Sequence, residues 1–244
     1  MNISNQTVLI TGGGSGIGLA IAKTLTATGN RVILVGRNEA KLRKAAEQVP
    51  GAAIITADVN SAADVNRLVQ QVQAQFGDLS VLINNAGQAS AYQLVAGANA
   101  FEKASAEMNT NYLALIRLTE LLLPVLSAQP TAAIINVTSI VAYVPSVGGP
   151  TYSASKAAVH SYTQSLRHTL KATNIRVFEL LPPLVDTEFS AEIGGANGIP
   201  PQQVADELLA GLAHDDDEIR VGQTAQVYEL ERASRADAFA LVNS

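Results

Sequence analysis

The chain has 244 residues, of which 48% are apolar and 15% are charged, so it can form a buried core and lies outside the compositional range of disordered proteins. Its net charge is −5 and its 16 basic residues are scattered, which argues against nucleic acid or an anionic membrane surface as a partner. Because the chain has no cysteine, disulfides, thiolate metal sites and thiol nucleophiles are excluded.

The length and the absence of a linker indicate that residues 1–244 form a single domain. The first residues lead straight into a strand pattern, without the basic segment and apolar core of an export signal, so we expect a cytoplasmic protein. Residues 121–155 carry no charge, but prolines and polar side chains interrupt them. This stretch therefore indicates buried core and not a membrane span.

Short runs rich in valine and isoleucine alternate with stretches of helical periodicity along the whole chain. The strands are predicted at 7–11, 31–35, 52–56, 81–84, 132–137, 176–180 and 218–221. The helices are predicted at 16–28, 38–48, 61–76, 101–127, 152–173 and 202–213. The strand runs lack strict alternation, as expected for parallel strands covered on both faces. The order predicts an α/β fold with a doubly wound parallel sheet of about seven strands, helices on both faces, and ligands at the carboxyl ends of the strands.

Residues 188–201 are predicted to form a flap, and residues 218–244 a C-terminal tail, within this domain. The stretch SAEIGGANGIPP at 190–201 contains three glycines that loosen the backbone before the last predicted helix. Long loops in compact domains are usually functional or disordered, which favours a movable flap. A long surface connection without a function is the alternative.

The first predicted strand ends in the glycine-rich stretch TGGGSGIG at 11–18. Glycines permit a tight turn, and they let backbone N–H groups approach a diphosphate at the positive end of the following helix. The strand, turn and helix in succession favour a dinucleotide site over a purely structural turn. The candidate ligands of the cofactor are Gly12, Ser15, Gly16, Ile17 and Gly18.

The second and third predicted strands end in residues that bear on the choice of cofactor. Arg37 stands where an NAD-specific site would place an acidic residue for the ribose hydroxyls. A guanidinium can hold a 2′-phosphate, so NADP is favoured and NAD is the second choice; a solvated strand-end arginine is the alternative. Asp58 and Val59 are candidates for contact with the adenine, although Asp58 is equally suited to capping the next helix.

Tyr152 and Lys156 lie four residues apart in the stretch TYSASK at a predicted helix start. Side chains at i and i+4 share one helix face, with Cβ atoms roughly 5–6 Å apart, so both can reach one small ligand.

Ser139 follows the fifth predicted strand, in the region where ligands of such sheets bind. Asn111 lies in the middle of a predicted helix, where asparagine is mildly unfavourable. An ordinary capped or solvated asparagine is the alternative for that position.

Four motifs occur in one order and spacing: the glycine turn, Asn84-Asn85-Ala86-Gly87, Asn111 with Ser139, and Tyr152-x3-Lys156. Together they resemble the short-chain dehydrogenase/reductase family, which has a Rossmann fold and binds NAD or NADP. The resemblance covers about residues 3–187. The stretch LPPLVDTEFS and the tail resemble the DltE-like oxidoreductases within that family.

The resemblance implies that Asn111, Ser139, Tyr152 and Lys156 are the catalytic residues. Lys156 would hold the nicotinamide ribose and place a positive charge near Tyr152. A free phenol has a pKa of about 10, and lowering it to near neutrality needs roughly 3–4 kcal/mol, which a close cation and the oxidised nicotinamide together can supply. Tyr152 then donates a proton when a ketone is reduced and accepts it in reverse. Ser139 binds the substrate oxygen, and Asn111 holds a water that links Lys156 to solvent.

The resemblance also implies further contacts with the cofactor, from Asn85, Ala86, Gly87, Tyr152, Lys156, Pro182, Val185 and Thr187. The family usually has glycine where this chain has Pro183. Proline fixes φ near −65° and removes an N–H group, so a contact that needs that amide or a positive φ is lost. We expect this change to affect the shape of the substrate pocket more than the chemistry.

The function predicted from the sequence is an NADP-dependent carbonyl reductase or alcohol dehydrogenase. Mostly apolar candidates for the pocket suggest a small or medium hydrophobic ketone, and they are Ala89, Ser139, Val141, Tyr143, Leu184 and Phe189. The alternatives are an NAD-dependent alcohol dehydrogenase and a non-catalytic cofactor-binding sensor or scaffold. The loss of Ser139, Tyr152 or Lys156 would have indicated a sensor, and all three are present.

Other features receive no catalytic role. The three histidines have no metal-ligand spacing, so no metal site is predicted, and His160 is interpreted as a packing or subunit-contact residue. The acidic run at 215–218 is interpreted as a solvated turn. The predicted helices at 101–127 and 152–173 carry wide apolar surfaces, which in this family pair across a two-fold axis, so we expect a homodimer or homotetramer.

Overall fold

The structure is a computed structural model that describes Met1 and residues 3–244. Its strands are β1 (Thr7–Thr11), β2 (Arg31–Gly36), β3 (Ala53–Thr56), β4 (Leu79–Asn84), β5 (Ala132–Val137), β6 (Ile175–Leu181) and β7 (Glu218–Arg220). Its α-helices are α1 (Gly16–Ala27), α2 (Glu39–Ala46), α3 (Ala62–Gln75), α4 (Ala100–Glu107), α5 (Ala114–Ser127), α6 (Pro150–Leu170), α7 (Pro201–His214), α8 (Thr224–Ala233) and α9 (Arg235–Val242).

All seven strands form one parallel sheet in the order β3-β2-β1-β4-β5-β6-β7. The strand order reverses between β1 and β4, so the loops after these two strands diverge and leave a crevice at their carboxyl ends. The doubly wound parallel sheet predicted from the sequence is confirmed.

Two apolar cores cover the two faces of the sheet, because alternate residues of each strand point in opposite directions. In β1, Val8 and Ile10 pack in one core with α1, α2 and α7, whereas Leu9 packs in the other with α3, α5 and α6. The central strands β1, β4 and β5 are therefore buried throughout, which explains their continuous apolar runs in the sequence. A third, smaller core joins the segment after β5 to α8 and α9.

The helix predicted at 101–127 is divided into three parts. Between α4 and α5 the backbone forms a π-helical segment over Met108–Leu113. A π-helical segment admits an extra residue per turn and often marks a functional site. The helix predicted at 152–173 also starts earlier, at Pro150, because proline suits the first turn of a helix, where its missing N–H group has no helical partner.

The flap and the tail are both built from short helices. The flap contains 3₁₀ helices at Glu188–Ile193 and Gly195–Asn197, and a bridge between Val185 and Ile199 closes its base. The tail consists of β7, α8 and α9, and the sequence did not indicate its two helices. None of the helices formed by the described residues combines the length and apolar character needed to span a bilayer.

Candidate active site

The glycine-rich turn between β1 and α1 has a conformation that requires glycine. Gly16 has a φ of +53°, in the left-handed region that other residues rarely adopt. A Cβ atom on Gly18 would lie 2.5 Å from the carbonyl oxygen of Gly12 and 2.6 Å from Nδ2 of Asn85. Because Gly18 has no side chain, the start of α1 can pack closely against the turn and Asn85. Gly18 therefore has a packing role beneath the turn.

Thr11 and Asn85 tie the turn to the end of β4. The Thr11 hydroxyl accepts hydrogen bonds from the backbone N–H groups of Asn85 (2.9 Å) and Ala86 (3.0 Å). The Asn85 amide in turn donates to the carbonyl oxygen of Thr11 at 2.9 Å. The two loops that follow the central strands are therefore held side by side, at the point where the strand order reverses.

A cleft of about 670 Å³ opens above this pair of loops and extends to the flap and the tail. Twelve of the predicted cofactor residues line it: Gly12, Ser15, Gly16, Ile17, Asn85, Ala86, Gly87, Tyr152, Lys156, Pro182, Val185 and Thr187. Ser15 is the N-cap of α1, its side chain makes no capping hydrogen bond, and the first turn of α1 has no acidic residue. The positive end of the helix dipole at this wall of the cleft is thus suited to an anion.

Three residues predicted to bind the adenosine end lie outside the cleft lining. Arg37 is exposed just beyond β2. Asp58 accepts a hydrogen bond from the backbone of Asn60 at 2.9 Å, so its carboxylate stabilises the turn before α3, while Ser61 is the N-cap of that helix. Val59 is half-buried in the same turn. The residue types of Arg37, Asp58 and Val59 did not indicate that they lie outside the lining of the cleft.

Tyr152 and Ser139 both line the cleft. Burial raises the pKa of Tyr152, the Ser139 hydroxyl lowers it, and the charge of Glu107 raises it; together they leave the pKa above its ordinary value. The lowered pKa expected from the sequence is therefore not produced by the protein's own groups. Glu107, which the sequence did not single out, is fully buried and acts against the phenolate.

Lys156 follows Tyr152 by one turn of α6, as predicted, and only 4% of it is exposed. Its Nζ donates to the carbonyl oxygen of Val137 at 2.8 Å and lies 5.7 Å from the centroid of the Tyr152 ring. Burial lowers the pKa of Lys156 to about 8, against the opposing effect of the Glu179 carboxylate. The ammonium group is thus only marginally favoured at neutral pH.

Asn111 lies in the π-helical segment and is almost fully buried. Its side chain accepts from the backbone N–H of Gln88 at 2.7 Å, and it donates to the carbonyl oxygen of Gln88 at 2.9 Å and to Ser155 at 2.8 Å. Asn111 therefore joins the loop after β4 to α6. A Cβ atom on Gly87 would lie 3.5 Å from Oδ1 of Asn111 and 3.9 Å from Nζ of Lys156, so both polar groups stand next to the same cleft residue.

The substrate end of the cleft contains five of the six predicted residues, namely Ala89, Ser139, Val141, Leu184 and Phe189. The Phe189 ring, which is carried by the flap, has its centroid 6.0 Å from that of Tyr152. Lys156 is the sole charged side chain among the described residues that line the cleft, so the substrate end is neutral and mostly apolar.

Tyr143, the sixth predicted pocket residue, does not line this cleft. Its hydroxyl donates to Glu218 at 2.8 Å and its ring packs edge-on against His160, with centroids 5.1 Å apart. Burial raises the pKa of Tyr143. The hydrogen bond to Glu218 and the negative charge of Glu218 raise it further. These contacts tie the Tyr143 side chain to α6 and β7.

The tail supplies cleft residues that the motifs did not identify. Val227 of α8 and Leu241 and Val242 of α9 close the mouth of the cleft, and Ile193 of the flap joins them. Pro183 also lines the cleft, and the preceding Pro182 accepts a hydrogen bond from the N–H of Ile140 at 2.9 Å, so the loop after β6 is fixed without a glycine.

Comparisons with known proteins agree with this arrangement. A family model described as short chain dehydrogenase matches residues 6–197. The uncharacterized oxidoreductase DltE of Bacillus subtilis (strain 168) is 37% identical over 242 residues, which make up 97% of this chain and 95% of that protein. The uncharacterized oxidoreductase SERP2049 of Staphylococcus epidermidis is 32% identical over 213 residues, which make up 86% of this chain and 92% of that protein.

Two solved structures have the same fold. A short chain dehydrogenase from Burkholderia cenocepacia J2315 in complex with NADP has a TM-score of 0.88 and 29% identity, with 100% of both chains covered. A short chain dehydrogenase/reductase from Burkholderia phymatum in complex with NAD has a TM-score of 0.87 and 20% identity, with 100% of this chain and 97% of the other covered. The chain belongs to the short-chain dehydrogenase/reductase family of oxidoreductases and is similar to its DltE-like members.

Proposed function

We propose that the protein is an NADP(H)-dependent oxidoreductase that interconverts a carbonyl compound and a secondary alcohol, with Tyr152 as general acid and base. The observation that carries this proposal is one cleft in which the glycine turn and the end of α1 lie at one side and Ser139, Tyr152 and Lys156 at the other. A sensor that only bound the cofactor would not need the second group.

The cleft fits a nicotinamide dinucleotide in two respects. A Cβ atom on Gly16 would lie 3.1 Å from Cγ2 of Thr187, so a side chain there would narrow the space between these two lining residues, and the uncapped N-terminus of α1 offers N–H groups to a diphosphate. When bound, the nicotinamide ring supplies the hydride that is added to the substrate carbon, or accepts it in reverse. We assign the diphosphate to the wall formed by Gly12, Ser15, Gly16 and Ile17, and the nicotinamide end to that formed by Lys156, Val185 and Thr187.

The protein's own residues carry the proton and the developing charge. Tyr152 is neutral in the free protein, because its pKa is raised, and a neutral phenol can donate a proton to a carbonyl oxygen that becomes an alkoxide. The Ser139 hydroxyl lies beside the phenol and stabilises the same oxygen. Lys156, as an ammonium, binds ribose hydroxyls and favours the phenolate that remains, while Asn111 holds the loop and α6 together around them.

The walls of the substrate end favour an uncharged carbonyl compound of small or medium size. Val141, Leu184 and Phe189 offer apolar contacts, and the tail adds Val227 and Leu241. A substrate carboxylate or phosphate would meet no arginine among the described residues that line the cleft. We therefore propose a hydrophobic ketone or aldehyde as the substrate class.

The preference for NADP rests on Arg37 at the end of β2, where this chain has no acidic residue. Arg37 is exposed and close in sequence to Lys41, whose Cβ lies 3.6 Å from the position that a Cβ on Gly14 would occupy. The Lys41 ammonium is paired with the Glu188 carboxylate at 2.7 Å, so Arg37 is the cation that we assign to a 2′-phosphate. An NAD-dependent alcohol dehydrogenase is the second candidate, and the position of Arg37 outside the cleft lining favours it.

The decisive experiment combines binding and turnover. NADPH and NADH are titrated against the wild-type protein and an Arg37→Asp variant, and a panel of hydrophobic ketones and aldehydes is then tested with the cofactor that binds. We expect tighter binding of NADPH to the wild type and a reversed preference in the variant. Binding of NADPH without turnover of any member of the panel would contradict the proposed reaction and favour a sensor.

A homodimer or homotetramer is proposed on weaker grounds, namely the apolar outer surface of the segment that contains α4 and α5. Phe101 is 78% exposed and Leu113 is 48% exposed. Most of the other apolar residues of α5, including Leu118 and Leu122, are buried against the sheet. Light scattering of the eluted protein measures the oligomeric state directly.

A further inference from the structure

A buried carboxylate lies outside the cleft, close to Lys156. Glu179 is a central residue of β6, directly opposite Asn136 on β5, and it is fully buried. A charged side chain in the interior of a parallel sheet is costly unless it is paired and hydrogen-bonded. The role that the proposed function gives to Lys156 leaves Glu179 unexplained.

The contacts of Glu179 connect it to both sides of the catalytic group. Its Oε1 accepts a hydrogen bond from the Thr138 hydroxyl at 2.6 Å, and its Oε2 is 2.8 Å from Nδ1 of His160. Thr138 lies between Val137, whose carbonyl oxygen accepts from Lys156, and the catalytic candidate Ser139. His160 follows Lys156 by one turn of α6. Glu179 is therefore enclosed by the same segment of β5 and the same face of α6 that position Lys156.

We propose that Glu179 is a positioning residue that keeps Lys156 in its ammonium form inside the apolar interior. This inference rests on the proposed function, because it deepens the role assigned there to Lys156. No hydrogen bond joins Glu179 to Lys156; the carboxylate acts through its charge, at short range and in a medium of low dielectric constant.

The balance of effects on Lys156 supports this role. Burial alone favours the neutral amine, and the negative charge of Glu179 opposes that effect, so that the pKa settles at about 8. Without the carboxylate, nothing from Glu179 would oppose the effect of burial, and the equilibrium at neutral pH would move toward the amine. An uncharged amine would not favour the phenolate form of Tyr152.

The other charged groups near Glu179 are already paired. Glu218 on β7 accepts from the hydroxyl of Tyr143 and forms an ion pair with Arg220. Arg167 on α6 donates to the carbonyl oxygen of Val177 at 2.8 Å and to that of Asp217 at 2.8 Å.

His160 shares Glu179 with Lys156, and its pKa is raised, chiefly by the hydrogen bond to Glu179. Ligand atoms of His160, Glu179 and Glu218 lie within 4.8 Å of one another. Thr138, Tyr143 and Arg220 donate to the two carboxylates, so this cluster is satisfied as an ion-pair network.

A Glu179→Gln variant tests the proposal, because the amide keeps the size and can still accept from Thr138 but has no charge. The protein has six lysines. In protein labelled with ¹³C at lysine Cε, the signal of Lys156 is identified by its absence in Lys156→Met, and its titration is followed by NMR without cofactor or substrate. We expect the pKa of Lys156 to fall by about one unit or more in Glu179→Gln, a tenfold loss of ammonium relative to amine. An unchanged titration would overturn the proposal.

Two controls separate charge from structure. Glu179→Asp keeps the carboxylate, so Lys156 should titrate close to its wild-type pKa. Glu47→Gln removes one charge from the exposed end of α2, far from β6, and should leave the titration unchanged. An equal fall in the pKa of Lys156 in the aspartate variant would show that packing, and not the charge, is responsible.

A reciprocal measurement keeps the proposal testable if Glu179→Gln does not fold. Lys156→Met removes a positive charge near the Glu179–His160 pair, so the imidazole titration of His160 should move to higher pH than in the wild type. An unmoved His160 titration would show that the three groups are not coupled. Both titrations use the free protein, so failure to find any carbonyl substrate would contradict the proposed function but not this inference.

Discussion

Replacement of Lys156 by methionine should make the free protein more stable at neutral pH, although it removes a catalytic candidate. Methionine has a similar length and no charge, so it can occupy the same apolar space at Val137 and Tyr152. The wild-type lysine must be desolvated in the folded state, and its pKa falls from 10.5 to about 8. The unfolded chain does not incur this cost.

The size of the effect follows from the pKa difference. A shift of that size corresponds to about 3 kcal/mol at a pH below both values, since one unit is equivalent to about 1.4 kcal/mol. The hydrogen bond from Lys156 to Val137 is lost in the variant, which costs about 1 kcal/mol. We therefore expect Lys156→Met to be more stable than the wild type by about 2 kcal/mol at pH 7.

The pH dependence gives the sharper test. Between pH 8 and 10.5 the unfolded wild type binds more protons at Lys156 than the folded protein does, so wild-type stability rises with pH in this interval. The advantage of the variant is thus complete below pH 8 and is lost as the pH approaches 10.5. Urea unfolding of both proteins at pH 7 and pH 10 measures the difference, of which roughly 2 kcal/mol should disappear.

The control is Lys44→Met, which removes an exposed ammonium from α2 and should show no such pH-dependent difference. A Lys156→Met protein that is less stable than the wild type at pH 7, or a difference that does not change with pH, would refute the reasoning. Either result would mean that Lys156 is not desolvated as the structure indicates.

Four further predictions concern the cleft and its surroundings. Tyr152→Phe should lower turnover by about 10³-fold or more and leave the Kd of NADPH nearly unchanged, as kinetics and fluorescence titration can show. The affinity for NADPH should fall as the pH rises above 8, because Lys156 loses its proton there. Tyr143→Phe should cost about 1 kcal/mol in urea unfolding, through the lost bond to Glu218, without a change in KM. Leu241→Asp should raise KM for hydrophobic substrates but not the Kd of NADPH, since it alters only the mouth of the cleft.

The layout of the sheet could be predicted because the signals for it are local. Valine and isoleucine runs mark each strand, and the order of strands and helices fixes the direction of each crossover. The sequence did not indicate the division of the helix at 101–127, where Asn111 of the π-helical segment is hydrogen-bonded to Gln88 and Ser155. Those partners are 23 and 44 residues away.

The site was predictable to the same extent. The spacing of Tyr152 and Lys156 on one helix is set by helix geometry, and the structure places both in the cleft. The direction of the Tyr143 side chain depends instead on Glu218 and Arg220, which follow it by 75 and 77 residues. A residue type near a motif indicates which pocket it is close to, but its orientation is decided by partners from other elements.

The pKa of Tyr152 shows why a charge argument based on neighbours in the sequence is incomplete. The spacing in the sequence identifies Lys156 as a cation near Tyr152. It does not show that the phenol is buried or that Glu107 lies near it. One carboxylate oxygen of Glu107 accepts from the backbone of Ser90 at 2.7 Å, and the other has no hydrogen-bond partner among the described residues. In the free protein the charge of Glu107 adds to the effect of burial on the pKa of Tyr152, whereas the charge of Glu179 opposes the effect of burial on the pKa of Lys156.

A neutral Tyr152 with a charged Lys156 is the protonation state that carbonyl reduction requires at its start, since a neutral phenol must give up a proton and an ammonium must remain to favour the phenolate. The fold maintains it at the expense of stability, because Lys156 and Glu107 would each be easier to bury as uncharged side chains. Residues selected only for packing would not leave a desolvated ammonium and a carboxylate with one unpaired oxygen within the same interior. The electrostatic cost at α4, α6 and β6 is therefore an argument for catalysis and against a sensor that needs only the cofactor cradle.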